Sequence, residues 1–237
     1  MAPITEALRR DGIRVEAPML AGHGGEPVDL AKVGWDDWTR AVGDAFDRLF
    51  ASAADADDAD ADDASHDAAG VALRVGVAVG QSLGGSLALW FAASDPRCGG
   101  VVVINPVVSA SDPDVTEHLE AMLDRGRVMI AVGEPDILDP DVTEDAFHEI
   151  PIRVVLAMAD GVDRLRARLA DINKPVLLVT SMQDSVTDPA DSDELAERLP
   201  NPPTRLRLHN SGHVASLDRE RDTVIDAIRS WLAAFLA

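Results

Sequence analysis

Val75-Gly76-Val77-Ala78-Val79, then Gly80-Gln81-Ser82-Leu83-Gly84, then Gly85-Ser86-Leu87-Ala88-Leu89-Trp90-Phe91-Ala92-Ala93 is the stretch that decides the fold. The short valine-rich run reads as a buried strand, and the leucine- and alanine-rich run after it as a helix. Between them stands G-x-S-x-G, in the strand-turn-helix setting that a nucleophile elbow requires. So tight a turn is expected to hold Ser82 in a strained backbone conformation, its hydroxyl exposed at the positive end of the new helix. Gly80 and Gly84 are expected because a side chain at either position would strike the strand or the helix.

The same rhythm extends in both directions. Residues 6–11 read as a short helix ended by Gly12, and Ile13-Arg14-Val15-Glu16-Ala17 as a strand. Residues 18–34 form a loop with Gly22-His23-Gly24-Gly25 at its tight point, and 35–50 carry a helical apolar stripe. Residues 51–70, almost wholly Ala and Asp, are expected to be an acidic low-complexity insertion, solvated rather than packed. Val101-Val102-Val103-Ile104 is a continuous apolar strand of the kind buried on both faces of a parallel sheet. Over 112–171 the strand rhythm stops, and helical stretches broken by Gly133, Pro135, Pro140 and Pro151 suggest a helical, cap-like insertion. Strands at 175–180 and 204–208, with helices at 191–199 and 219–236, complete the chain. Alternating strand and helix over 237 residues predict one α/β domain, residues 1–237, built on a doubly wound, mostly parallel sheet with a small cap.

Asp and Glu number 42 against 21 Lys and Arg, a net charge of −21, and the lysines are Lys32 and Lys174 alone. A field of that sign repels phosphate backbones, which argues against a nucleic-acid partner. It suits a salty solvent or a high-GC coding sequence. No apolar run reaches the roughly 18 residues of a membrane span, so no stable membrane insertion is expected. Residues 1–10 lack the apolar core of a signal peptide, and a cytoplasmic protein is the simplest expectation. Cys98 is single, which excludes an intramolecular disulfide or a cysteine metal cluster and fits a buried apolar residue. Nothing in the sequence sets an oligomeric state.

A serine hydroxyl becomes nucleophilic only when a base takes its proton, and the base needs an orienting acid. In α/β sheets such groups come from loops at the carboxyl ends of strands. The loop Ser181-Met182-Gln183-Asp184-Ser185 offers Asp184, and Asn210-Ser211-Gly212-His213 offers His213. Among the rivals, His209 stands at a strand end, where it packs or bonds locally. Asp188 precedes Pro189 in helix-capping territory, and His23 belongs to a glycine-rich turn. His66, His118 and His148 show no ligand spacing, so neither a metal nor a cofactor is expected.

The elbow 80–85, the segments Ala17-Pro18 and Gly22-His23-Gly24, Trp35-Asp36-Asp37-Trp38, and the tail Ser211-Gly212-His213-Val214-Ala215-Ser216-Leu217-Asp218 together resemble the bacterial carboxylesterase and monoacylglycerol lipase group of the α/β-hydrolases. The resemblance runs over essentially the whole chain, including a cap-like stretch around 150–175. It implies Ser82 as nucleophile, His213 as base, Asp184 as orienter and the N–H of Leu83 as one half of an oxyanion hole. The elbow serine sets the chain apart from dehalogenase and epoxide-hydrolase relatives, which carry aspartate there. One departure follows from the same resemblance. Those relatives have a mid-sheet strand and a His-Gly-aromatic turn ahead of the first helix, supplying a second oxyanion donor. This sequence begins at that helix, so codons for the strand and turn are expected upstream of Met1, or else the copy is degenerate.

The expected chemistry is hydrolysis of a small carboxylic ester, of short or medium acyl chain or a monoacylglycerol, through an acyl-enzyme. The same relay would serve thioester, C–C bond or acyl-transfer chemistry, and a non-catalytic binding protein of this fold is the remaining alternative. Val128-Met129-Ile130 and Ile137-Leu138 read first as ordinary core, and second as the lining of an acyl pocket.

Overall fold

A computed structural model describes residues 1–59 and 75–236. The elements run α1 (Ala2–Arg10), α2 (Trp35–Ala59), β1 (Gly76–Gln81), α3 (Leu83–Ser94), β2 (Cys98–Ile104), α4 (Pro113–Asp124), β3 (Met129–Ala131), β4 (Glu149–Pro151), α5 (Ile152–Arg166), β5 (Val176–Ser181), α6 (Pro189–Arg198), β6 (Thr204–Leu208) and α7 (Arg221–Leu236). A four-stranded sheet has the order β1-β2-β5-β6, with every neighbouring pair parallel. This is the α/β architecture that the alternating rhythm predicts.

The two central strands show why those runs are continuously apolar. Along β2, Val101 and Val103 face one core cluster with Trp38, Phe46, Leu87, Leu89 and Leu165, while Val102 and Ile104 face the other. Along β5, Val176 and Leu178 join the first cluster, and Leu177 and Val179 join Ile4, Leu8, Val224 and Ile228 in the second. Side chains alternate between faces, so a strand covered by helices on both sides has no polar face to present. Cys98 lies wholly buried at the start of β2, and burial pushes its thiol up to about 11, which leaves it unreactive at neutral pH.

The structure departs from the sequence reading at several places. Ile13–Ala17 forms no strand. Ile13 and Val15 do turn toward the second cluster, but the backbone is tied to α1: Ile13 N–H donates to the Leu8 carbonyl, and Arg9 donates to the Val15 carbonyl. With no neighbouring strand to bond, an alternating pattern alone makes no ladder. Among the described residues the outer edge of β1 pairs with no strand either. The loop over 18–34 holds a 3-10 turn at Pro27–Lys32. Helix α2 runs past 50 to Ala59, consistent with the high helix propensity of alanine. Of the acidic insertion expected at 51–70, residues 60–70, with His66, lie outside the described residues.

The stretch 112–171 is not purely helical. Between α4 and α5 it carries a small antiparallel ladder that pairs Met129 with Pro151 and Ala131 with Glu149. Val128 is exposed, and Met129, Ile130, Ile137 and Leu138 are half-buried, joining neither core cluster. The expectation that they are ordinary core does not hold. No helix among the described residues is long and apolar enough to cross a membrane.

Candidate active site

Strand β1 ends at Gln81, helix α3 begins at Leu83, and Ser82 alone makes the turn, at φ 54 and ψ −126. Left-handed backbone of this kind costs a non-glycine residue on the order of 1–3 kcal/mol, and it persists because the surroundings over-determine it. Ser82 N–H donates to the Ile104 carbonyl, while its own carbonyl accepts from Gly85, Ser86 and Val107 N–H groups. Its hydroxyl does not cap α3, and among the described residues it makes no hydrogen bond. The N–H of Leu83 stands in the first turn of α3, where a helix has no internal acceptor to offer.

The glycines of the turn differ in their reasons. A Cβ on Gly80 would lie 2.0 Å from the Gly84 carbonyl oxygen, so the chain crosses itself there with no room for a side chain. Gly84 itself faces open space, contrary to expectation: its backbone, rather than a missing side chain, is what crowds Gly80. The second tight position is Gly85, whose Cβ would come within 2.9 Å of Pro106. Gly80→Ala is therefore expected to destabilise the fold by more than about 3 kcal/mol, beyond the usual range for overpacking. Gly84→Ala is expected to be nearly neutral, since a helix position gains from alanine. Urea unfolding of the two variants checks the contrast, and equal midpoints would contradict it.

The two late loops bring His213 and Asp184 together. His213, 7 % exposed, places Nδ1 2.8 Å from Oδ2 of Asp184. A carboxylate only accepts, so Nδ1 carries the proton and Nε2 of the neutral ring keeps its lone pair as an acceptor. The same carboxylate accepts from Val186 N–H, Thr187 N–H and the Thr187 hydroxyl. Burial works to raise the Asp184 pKa, but the His213 and Thr187 hydrogen bonds outweigh it and hold the carboxyl below its ordinary value.

Ser82 makes no direct hydrogen bond to His213 among the described residues. The elbow is linked to the base loop through Gln81, whose Oε1 accepts from Ser216 N–H at 3.1 Å. Such contacts are often loose before substrate binds. The rivals stand apart from this pair. Asp188 caps α6 through Ala190 N–H, and His209 is exposed, with its backbone bonded to Glu220 and Gln183. His23 turns toward the Ala21 carbonyl, with its ring edge-on to Trp38.

Three residues to which the sequence assigned no role hold this geometry. Asn105, buried and itself at φ 44 just after β2, donates from Nδ2 to Ser181 Oγ and the His213 carbonyl, and accepts from Ser181 N–H. It ties the ends of β2 and β5 to the base loop. Asp218, 1 % exposed, accepts from the N–H groups of Leu138, Asp139, Gly212 and Arg219. Burial pushes its pKa up, but those donors more than compensate and keep it below the ordinary range. Asp136 reaches the same loop, accepting from His213 N–H.

Comparison with known proteins agrees with this architecture. The family described as Hydrolase_4, serine aminopeptidase S33, matches residues 1–213. A thermostable monoacylglycerol lipase from Bacillus sp. (strain H-257) is 27 % identical over 227 residues, 95 % of this chain and 82 % of that protein. A carboxylesterase from Bacillus subtilis (strain 168) is 23 % identical over 226 residues, covering 95 % of this chain and 83 % of its own length. Among solved structures, one from work on the metagenome-derived lipolytic enzymes LipS and LipT superposes with a TM-score of 0.83 at 24 % identity, over 99 % of this chain and 87 % of that one. The monoacylglycerol lipase of Paleococcus ferrophilus gives 0.72 at 19 % identity, over 98 % and 88 % of the two chains. At such identities the superpositions speak for the fold.

Proposed function

Because the chain belongs to the Hydrolase_4 family, described as serine aminopeptidase S33, we propose that it is a serine hydrolase whose substrates are small carboxylic esters, of short or medium acyl chain or monoacylglycerols. The observation that carries the reading is the 2.8 Å contact of His213 Nδ1 with Asp184, on the loops that follow β6 and β5 in the sheet that delivers Ser82. His213 Nε2 takes the Ser82 proton as Oγ attacks the ester carbonyl. The oxyanion forms against the Leu83 N–H, and loss of one such donor costs about 10²- to 10³-fold in rate. The tetrahedral intermediate collapses, the C–O bond to the alcohol breaks, and His213 returns its proton to the departing alkoxide. Water then adds to the acyl-enzyme by the same path, releasing the acid and restoring Ser82.

The preference for esters rests on the lipase and carboxylesterase among the relatives. An apolar acyl group would suit the half-buried Ile137 and Leu138, whose segment is tied by the Leu138 N–H to Asp218, on the loop that carries His213. A panel of nitrophenyl acetate, butyrate, octanoate and palmitate, with a monoacylglycerol, a thioester and an aminoacyl anilide, tests this. Esters from acetate to octanoate are expected to turn over fastest. An anilide cleaved faster than every ester would replace the reading with a peptidase.

A further inference from the structure

The loops of the base and the acid come from different strands, yet one carboxylate oxygen touches both. Asp136 Oδ2 accepts from His213 N–H at 2.9 Å and from Ser185 N–H, next to Asp184, at 2.8 Å. Its own carbonyl accepts from Val214 N–H at 3.1 Å. Gly212 lets this segment come so close: a Cβ there would lie 2.6 Å from Asp136 Oδ1 and 2.7 Å from its carbonyl oxygen. Asp218 returns the grip from the base loop, accepting from Leu138 and Asp139 N–H at 2.8 and 2.9 Å and from Gly212 N–H at 2.7 Å. The segment 136–139 and the loop 212–218 are therefore laced together by two carboxylates pointing in opposite directions.

We propose that Asp136, carried by the insertion between β2 and β5, is a positioning residue that sets the separation of the Asp184 and His213 loops and so aims His213 at Ser82. Two N–H groups sharing one oxygen cannot drift apart without losing a hydrogen bond. A drift of either loop would lengthen the contact between His213 and Asp184 or swing Nε2 off the serine. The inference rests on the proposed roles of Ser82, His213 and Asp184. It adds that the inserted segment is part of the relay's scaffold.

The test uses the full chain with Asp136→Ala, Asp136→Asn and Gly212→Ala, a soluble nitrophenyl ester, and a fluorophosphonate probe for the serine. Asp136→Ala is expected to lower kcat about 10- to 100-fold, as a displacement near 1 Å does, with KM little changed. Asp136→Asn is expected to recover most of the rate, because its amide oxygen can accept both N–H groups. Gly212→Ala, which keeps the carboxylate but forces it away, is expected to lose kcat like Asp136→Ala. It decides the matter if Asp136→Ala does not fold. Wild-type kcat in Asp136→Ala or Gly212→Ala, or an Asp136→Asn variant as slow as Asp136→Ala, would overturn the inference. Wild-type protein that the probe does not label at Ser82 would instead sink the assignment of the nucleophile.

Discussion

Ser82→Ala is expected to lower ester turnover by at least about 10⁴-fold while leaving the chain folded, as removal of a triad nucleophile does in other serine hydrolases. The loss follows from chemistry: without Oγ no acyl-enzyme forms, and the residual rate is what a donor and a binding surface give to water. The fold is spared for a separate reason. The backbone at φ 54 is held by Ile104, Gly85, Ser86 and Val107, none of which bonds to the Ser82 hydroxyl. Alanine has the same Cβ and therefore much the same left-handed strain. Turnover and the thermal midpoint measured side by side check both halves, and unchanged turnover in Ser82→Ala would end the assignment.

The second large effect belongs to the relay. His213→Ala removes the base and should cost nearly as much as the loss of the serine. Asp184→Asn should cost about 10⁴-fold at neutral pH, for a reason visible in the hydrogen bonds. Oδ1 of Asp184 accepts from the Val186 and Thr187 N–H groups, so in the variant the amide oxygen must stay on that side. The amide NH₂ then faces His213 Nδ1 and can only donate to it. That moves the ring proton to Nε2, where it blocks uptake of the serine proton. His209→Ala should be nearly silent, since its side chain is exposed and only its backbone bonds to Glu220 and Gln183. Steady-state kinetics on the three variants decide the order. An essential His209 beside a dispensable His213 would reverse the reading of the tail.

What could be read from the sequence was what local chemistry dictates. The elbow is legible because a one-residue turn between strand and helix leaves no freedom at Gly80, and the doubly buried strands are legible because Val101–Ile104 and Val176–Thr180 lack a polar face. Asp184 and His213 stand out as candidates because each follows a strand on a loop, away from a cap or a strand end, and the structure brings the two within 2.8 Å. Asp136 was not legible. It sits among other aspartates in Pro135-Asp136-Ile137-Leu138-Asp139-Pro140-Asp141, and its partners are backbone N–H groups 49 and 77 residues away, which leave no mark on side-chain identity. Asn105 did carry a signal, a buried amide between Ile104 and Pro106 directly after a strand, which could have been weighed. Ile13–Ala17 failed in the other direction. Its alternation is real in the burial of Ile13 and Val15, but hydrogen bonding to a neighbour is a property of the sheet.

The most direct test of the central claim is mass spectrometry of the peptide containing Ser82 after reaction with a fluorophosphonate. Such probes phosphonylate a serine whose proton a base can take, forming the Oγ–P bond as fluoride leaves, so the adduct reports the nucleophile and its activation in one observation. The expected result is stoichiometric modification at Ser82 in the wild type, much slower modification in His213→Ala, and none in Ser82→Ala. Modification at another serine, or an unmodified Ser82 in protein that hydrolyses esters, would contradict the account.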